Sequence, residues 1–158
     1  MKNTEEALKW IVNILRKHKI PFEIRGGFAA KIYGSTRELA DIDIQIKNTK
    51  IESIILDIKN YVIFGPKRYK DRNWDLLLLT LRYKGQVIDI SGLGLVKIFN
   101  KINKKWENLS FNPLRTIKKE ICNIQVPVIS VEDLIKYKNK LRRRVDLQDV
   151  KEILETRE

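Results

Sequence analysis

The chain has 158 residues, 43% of them hydrophobic, a single cysteine and a formal net charge of +12. No apolar run reaches bilayer length and the opening MKNTEEALKW is charged, so the reading is a soluble, single-domain chain with no export signal, no membrane partner and a cytoplasmic address. The lone Cys122 excludes disulfide and zinc-finger frameworks and reads as a small buried apolar residue. The positive charge favours a polyanionic partner such as a nucleotide or nucleic acid, but it is spread evenly between residues 1–95 and 96–158, as on a solvated basic surface.

Asn3 and Glu6 form a capping-box pattern, and Leu8, Ile11, Val12 and Leu15 recur at helical spacing, which predicts a helix over 4–19. His18 then falls at its surface-exposed C-terminal end, beside the helix dipole. After Pro21, FEIR alternates Phe22 and Ile24 with Glu23 and Arg25, a short strand running into Gly26 and Gly27. FAAKIY has helix-forming composition until Gly34 stops it. DIDIQI is a strand by strict alternation: Ile42, Ile44 and Ile46 take the core face, and Asp41, Asp43 and Gln45 the other.

Two carboxylates two residues apart on one face of a strand lie roughly 6–7 Å apart at Cβ. Both reach one divalent cation, or a pair of cations about 3.5–4 Å apart. Without a cation the two charges repel, so a purely structural role would be costly. Glycines let backbone N–H groups approach a phosphate closely, and Ser35 and Arg37, in the loop before the aspartate strand, add a hydroxyl and a fixed cation for its remaining oxygens.

The stretch RGGFAAKIYGSTRELADIDI resembles the signature of the DNA polymerase β-like nucleotidyltransferase superfamily, in the version with GG after a first strand and DxD on the next. CCA-adding enzymes and lincosamide nucleotidyltransferases carry that version. The resemblance covers residues 22–46 closely and implies an α/β (α+β) nucleotidyltransferase fold, a small mixed sheet backed by helices. It further implies phosphate contacts from Gly26, Gly27 and Ser35, and Mg²⁺, one or two ions, at Asp41 and Asp43. The superfamily usually takes a third carboxylate from a neighbouring strand. In NWDLLLLTLRYKGQVIDISG the apolar run, the Lys84-Gly85 turn and VIDI read as a hairpin whose second strand carries Asp89, the candidate third carboxylate; the run 76–81 also fits a helix by periodicity.

Between these strands, residues 51–59 read as a helix with Ile51, Ile54, Ile55 and Ile58 on one side. Residues 67–74 read as a basic, aromatic loop of Lys67, Arg68, Tyr69, Lys70, Arg72 and Trp74, able to stack on a base or simply solvated. Ser91 to Gly94 lacks dinucleotide-fingerprint spacing and reads as a plain turn. A helix is expected over 95–107, with Leu95, Ile98, Phe99, Ile102 and Trp106 on one face. Two short strands around Cys122-Asn123 follow, then a helix from Val131 capped by Ser130, and a second helix after a joint at 142–145. This helical C-terminal extension resembles the endings of small nucleotidyltransferase-like proteins at Lys138, Arg143, Asp146 and Asp149. That resemblance implies that Lys138 and Arg143 close over the triphosphate. The same cluster also reads as an exposed basic face, with Asp146 capping the last helix.

The leading expectation is Mg²⁺-dependent transfer of a nucleoside monophosphate from a nucleoside triphosphate to an acceptor hydroxyl on RNA, a protein or a small molecule. Asp41, Asp43 and Asp89 act as metal ligands and catalytic groups. Gly26, Gly27, Ser35, Arg37, Lys138 and Arg143 hold the nucleotide. Alternatives are an antitoxin-like regulatory partner of a helical toxin and an inactive nucleic-acid-binding module; homodimerisation would supply acceptor surface to so short a chain.

Overall fold

The N-terminal helix is set by its sequence. Asn3 accepts from the Glu6 amide at 3.1 Å, and Ala7, Leu8, Ile11, Val12 and Leu15 form one buried stripe along α1 (Thr4–Lys17). The structure, a computed structural model, describes residues 2–109 and 115–158. After β1 (Glu23–Arg25) the chain turns directly into α2 (Gly26–Ile32), so the glycines open the helix. β2 (Asp41–Lys47) carries the DIDIQI alternation, with Ile42, Ile44 and Ile46 buried.

The stretch expected as one helix over 51–59 is a 3₁₀ helix (Asn48–Ile54) followed by a single α-helical turn, α3 (Ile55–Ile58); it still buries Ile51, Ile54 and Ile58. Next come β3 (Val62–Lys70), β4 (Trp74–Tyr83), β5 (Gln86–Asn100), β6 (Lys105–Asn108), β7 (Ile117–Ile121) and β8 (Ile124–Val128). Two helices close the chain, α4 (Val131–Leu141) and α5 (Arg144–Thr156). The eight strands form one mixed sheet in the order β3-β4-β5-β2-β1-β8-β7, with β6 on β5. β2 runs parallel to β5 and antiparallel to β1, so the two central neighbours of β2 differ in direction.

Three expectations are corrected. Residues 95–107 are not a helix: β5 continues to Asn100 and returns through β6, with Val96, Ile98 and Asn100 buried while Leu95 and Ile102 are 53% and 65% exposed. The apolar residues fit a helical period, but burial follows the period of two that a strand imposes. Ser91 to Gly94 is not a turn but lies inside β5, at a register shift against β4 between Leu76 and Leu78. A Cβ on Gly92 would sit 3.0 Å from Asn48 Cβ and from Leu77 Cδ2, and Gly94 has φ +102°, so both glycines make the bulge possible. Residues 67–70 are not loop but the end of β3, an edge strand whose lysines face solvent, as on edges that resist further pairing. Asp71 makes the true turn, accepting from the Asn73 and Trp74 amides at 2.7 and 2.8 Å.

Cys122 is half-buried in the β7–β8 turn at φ 52°, with Asn123 at φ 64°, rather than a core residue. His18 caps the end of α1, as expected there, and pairs with Asp57. None of the helices among the described residues is long and apolar enough to cross a membrane.

Ile44 is 1% exposed in β2, with a paired strand on either side. Ile44→Ala is expected to cost about 2–4 kcal/mol, read as a lower urea midpoint with an unchanged slope.

Candidate active site

Register brings the carboxylates together. Asp43 of β2 pairs with Asp89 of β5 on one side and with Arg25 of β1 on the other. Asp41 is two residues back on the same face, and one carboxylate oxygen from each of Asp41, Asp43 and Asp89 lies within 4.8 Å of the others. Burial raises the proton affinity of Asp43 well above the usual carboxylate range, and the charges of Asp41 and Asp89 raise it further. Burial likewise pushes Asp89 up to about 6; the Thr80 hydroxyl, donating at 2.6 Å, opposes this and Asp41 reinforces it.

The glycines are fitted to these acids. Gly26 has φ +62°, and a Cβ there would fall 1.9 Å from Asp43 Oδ2. Only glycine fits both the backbone and the space. The Gly27 amide donates to Asp43 Oδ2 at 3.3 Å, and the Gly26 amide donates to the Tyr137 hydroxyl at 2.7 Å.

A cavity of about 680 Å³ opens over this group; Gly26, Gly27, Arg37, Asp41, Asp43, Asp89 and Arg143 line it. The sequence-predicted residues Ser35 and Lys138 are not among its lining residues. Ser35 donates to Asp149 at 2.7 Å, and Lys138, 1% exposed, lies between Asp146 and Asp149 at 3.1 and 3.0 Å. Arg25 and Tyr137 also line the cavity and had no signal in the sequence, because β1 and α4 meet only in the fold. Asp146 does cap α5, accepting from the Arg143 amide at 3.1 Å, and binds the Arg143 guanidinium as well. The lining also includes the apolar and aromatic side chains of Phe64, Tyr69, Trp74, Leu76, Leu78 and Val96.

A mixed sheet in which parallel neighbours aim three carboxylates at one point, beside a helix opened by two glycines, is the nucleotidyltransferase fold. A Thermotoga maritima protein assigned as a nucleotidyltransferase (TM1012) superposes with TM-score 0.73 at 20% identity, over 98% of this chain and 96% of its own. The lincosamide antibiotic adenylyltransferase LnuA, solved with lincomycin bound, superposes with TM-score 0.65 at 16% identity, over 99% of each chain. ANT(2'')-Ia, solved in complex with adenylyl-2''-tobramycin, gives TM-score 0.59 at 12% identity, over 98% of this chain and 89% of its own. Compared by sequence, the chain matches no protein-family model and no curated protein.

The crowded carboxylates predict a stability signature. Asp89 has a folded-state pKa above its unfolded one, so the metal-free protein loses stability as pH rises from about 4 to 7. Asp89→Asn is expected to be more stable than wild type by about 1–2 kcal/mol at pH 7, after discounting for partial solvent screening. Little or no gain is expected at pH 4; denaturation in the presence of a chelator at the two pH values checks this.

Proposed function

We propose that the protein transfers a nucleoside monophosphate from a nucleoside triphosphate to a hydroxyl of a small acceptor molecule, with Mg²⁺ at Asp41, Asp43 and Asp89. The observation that carries this reading is the convergence of three carboxylates, two glycines and three arginines on one cavity. Three oxygen donors on rigid strands, within 4.8 Å of one another, suit a hard divalent cation and leave coordination positions for phosphate and water. When bound, Mg²⁺ neutralises phosphate charge and eases deprotonation of the acceptor hydroxyl.

The chain's own groups complete the chemistry. Gly26 and Gly27 keep the wall beside Asp43 free of side chains, so the triphosphate approaches the backbone. Arg37 and Arg143 draw its oxygens by charge-assisted hydrogen bonds. Asp89 accepts the acceptor's proton on a carboxylate oxygen as that hydroxyl attacks the α-phosphorus in line and pyrophosphate leaves. Most of the rate enhancement comes from positioning and charge compensation.

The acceptor lies against the apolar wall of Phe64, Tyr69, Trp74, Leu76, Leu78 and Val96. The Tyr69 hydroxyl there is already engaged, donating to Asp71 at 2.9 Å, and the neighbouring Thr80 donates to Asp89. Such a surface favours a compact ligand with an apolar body over a polyanion. Two neighbours of the same fold were solved with small molecules, lincomycin in LnuA and adenylyl-2''-tobramycin in ANT(2'')-Ia. One observation favours RNA instead. Lys67 and Lys70 stand exposed on β3, the strand that also supplies Phe64 and Tyr69 to the cavity.

Calorimetry with each of the four ribonucleoside triphosphates, with and without Mg²⁺, tests the core of the proposal. Mg²⁺-dependent binding of at least one triphosphate is expected, and its loss in the Asp41→Ala, Asp43→Ala double variant. Binding that ignores Mg²⁺ or survives the double substitution would sink it. Binding of oligonucleotides that is salt-sensitive and indifferent to these two aspartates would favour the RNA reading.

A further inference from the structure

Behind the cavity wall runs a chain of buried charges that touches none of the three metal-site carboxylates by a hydrogen bond. Asp149, with no exposed side-chain surface, accepts from Arg37 Nε and a terminal Arg37 nitrogen at 2.8 Å each, from Ser35 at 2.7 Å and from Lys138 at 3.0 Å. Asp146, equally buried, accepts from Arg143 Nε at 2.7 Å, from a terminal Arg143 nitrogen at 3.0 Å and from Lys138 at 3.1 Å. Each arginine is therefore gripped along one edge by a two-point carboxylate bond, and its remaining terminal nitrogen takes no part in that bond. Both arginines line the cavity, and Lys138 joins the two carboxylates behind them.

We infer that Asp146 and Asp149, bridged by Lys138, are positioning residues for nucleotide binding, fixing Arg143 and Arg37 at the cavity with a free edge turned to the phosphates. The inference rests on the nucleotide-transfer reading of the same cavity. Lys138 itself does not meet the nucleotide. A lysine that left this place for a phosphate would take one ion-pair partner from each of two buried carboxylates, which is unfavourable. A two-point grip also supplies what a lone cation lacks, because a guanidinium fixed in plane loses little further freedom when it takes a phosphate oxygen. The electrostatics agree, since Arg37, Ser35 and Lys138 outweigh burial and keep Asp149 below the usual carboxylate range, ionised at neutral pH.

The decisive variant is Asp149→Asn, which keeps the shape and removes the charge and half the grip. Three quantities are compared with wild type: Mn²⁺ affinity without nucleotide, affinity for the Mg²⁺-triphosphate that wild type binds most tightly, and the melting temperature. Mn²⁺ affinity is expected to stay within about twofold, while triphosphate affinity falls roughly tenfold. In a double-mutant cycle, Asp149→Asn is expected to add little to Arg37→Ala, since both remove one presented guanidinium. Unchanged triphosphate affinity, full additivity with Arg37→Ala, or an equal loss of Mn²⁺ affinity would overturn the assignment. Should Asp149→Asn fail to fold, Arg37→Lys decides: it keeps the charge but not the two-point grip. A loss close to that of Arg37→Ala supports the inference, and wild-type affinity overturns it. Wild-type protein that binds no triphosphate overturns the nucleotide-transfer reading as well, which separates the two failures.

Discussion

Mutual repulsion among Asp41, Asp43 and Asp89 is the constraint around which the site is built. Three carboxylates with oxygens within 4.8 Å of one another do not stay together through any attraction of their own. They are held there by backbone: the β2–β5 ladder runs seven residues in parallel register and sets Asp43 directly beside Asp89. Beneath it, Ile42, Ile44, Ile88 and Ile90 are almost fully buried, and a slip by one residue would turn the isoleucines to the cavity and the aspartates to the core. The hydrophobic stabilisation of one face thus holds an unfavourable charge arrangement on the other. Burial first, and the neighbouring carboxylates second, raise the proton affinities of Asp43 and Asp89, and a divalent cation is the natural means of relieving that repulsion.

The cationic side of the cavity follows one rule three times. Arg25 donates to Glu23 at 3.0 Å and to Gln45 at 2.9 Å, Arg37 is gripped by Asp149, and Arg143 by Asp146. Each guanidinium has a carboxylate at its back. An unanchored arginine beside three aspartates would be drawn onto them and would compensate their charge in place of a cation. Carboxylates behind the arginines compete for their charge and keep the two sets of groups apart.

What the sequence disclosed and what it hid divide along the range of the interactions. Strand DIDIQI, the Lys84-Gly85 hairpin and the Ser130 cap depend on residues within a few positions of one another, and they stand where local pattern puts them. Asp89 was legible because its own strand alternates as clearly as β2 does. Residues 95–107 misled because Leu95, Ile98, Ile102 and Trp106 happen to recur at helical spacing, whereas the segment pairs both with itself as the β5–β6 hairpin and with Trp74 to Leu76, some twenty residues earlier. The lysine-aspartate network was visible as a set of residues but not as a geometry. Nothing local distinguishes a lysine that reaches a phosphate from one sealed between Asp146 and Asp149.

The two C-terminal helices gain their meaning from that seal. α4 sends Tyr137 to the Gly26 amide, under the ring-facing guanidinium of Arg25, and its next residue, Lys138, to the aspartates of α5. Asp149 then reaches across to Ser35 and Arg37 in the connection between α2 and β2. A continuous set of polar contacts therefore runs from the glycine turn through both helices and back to the loop before the aspartate strand. Loosening one member would disturb the others, because Ser35, Tyr137, Lys138, Asp146 and Asp149 are buried and both carboxylates have both oxygens engaged. The extension is thus the back wall of the same cavity, and on the proposed reading its charges would act through the arginines they hold.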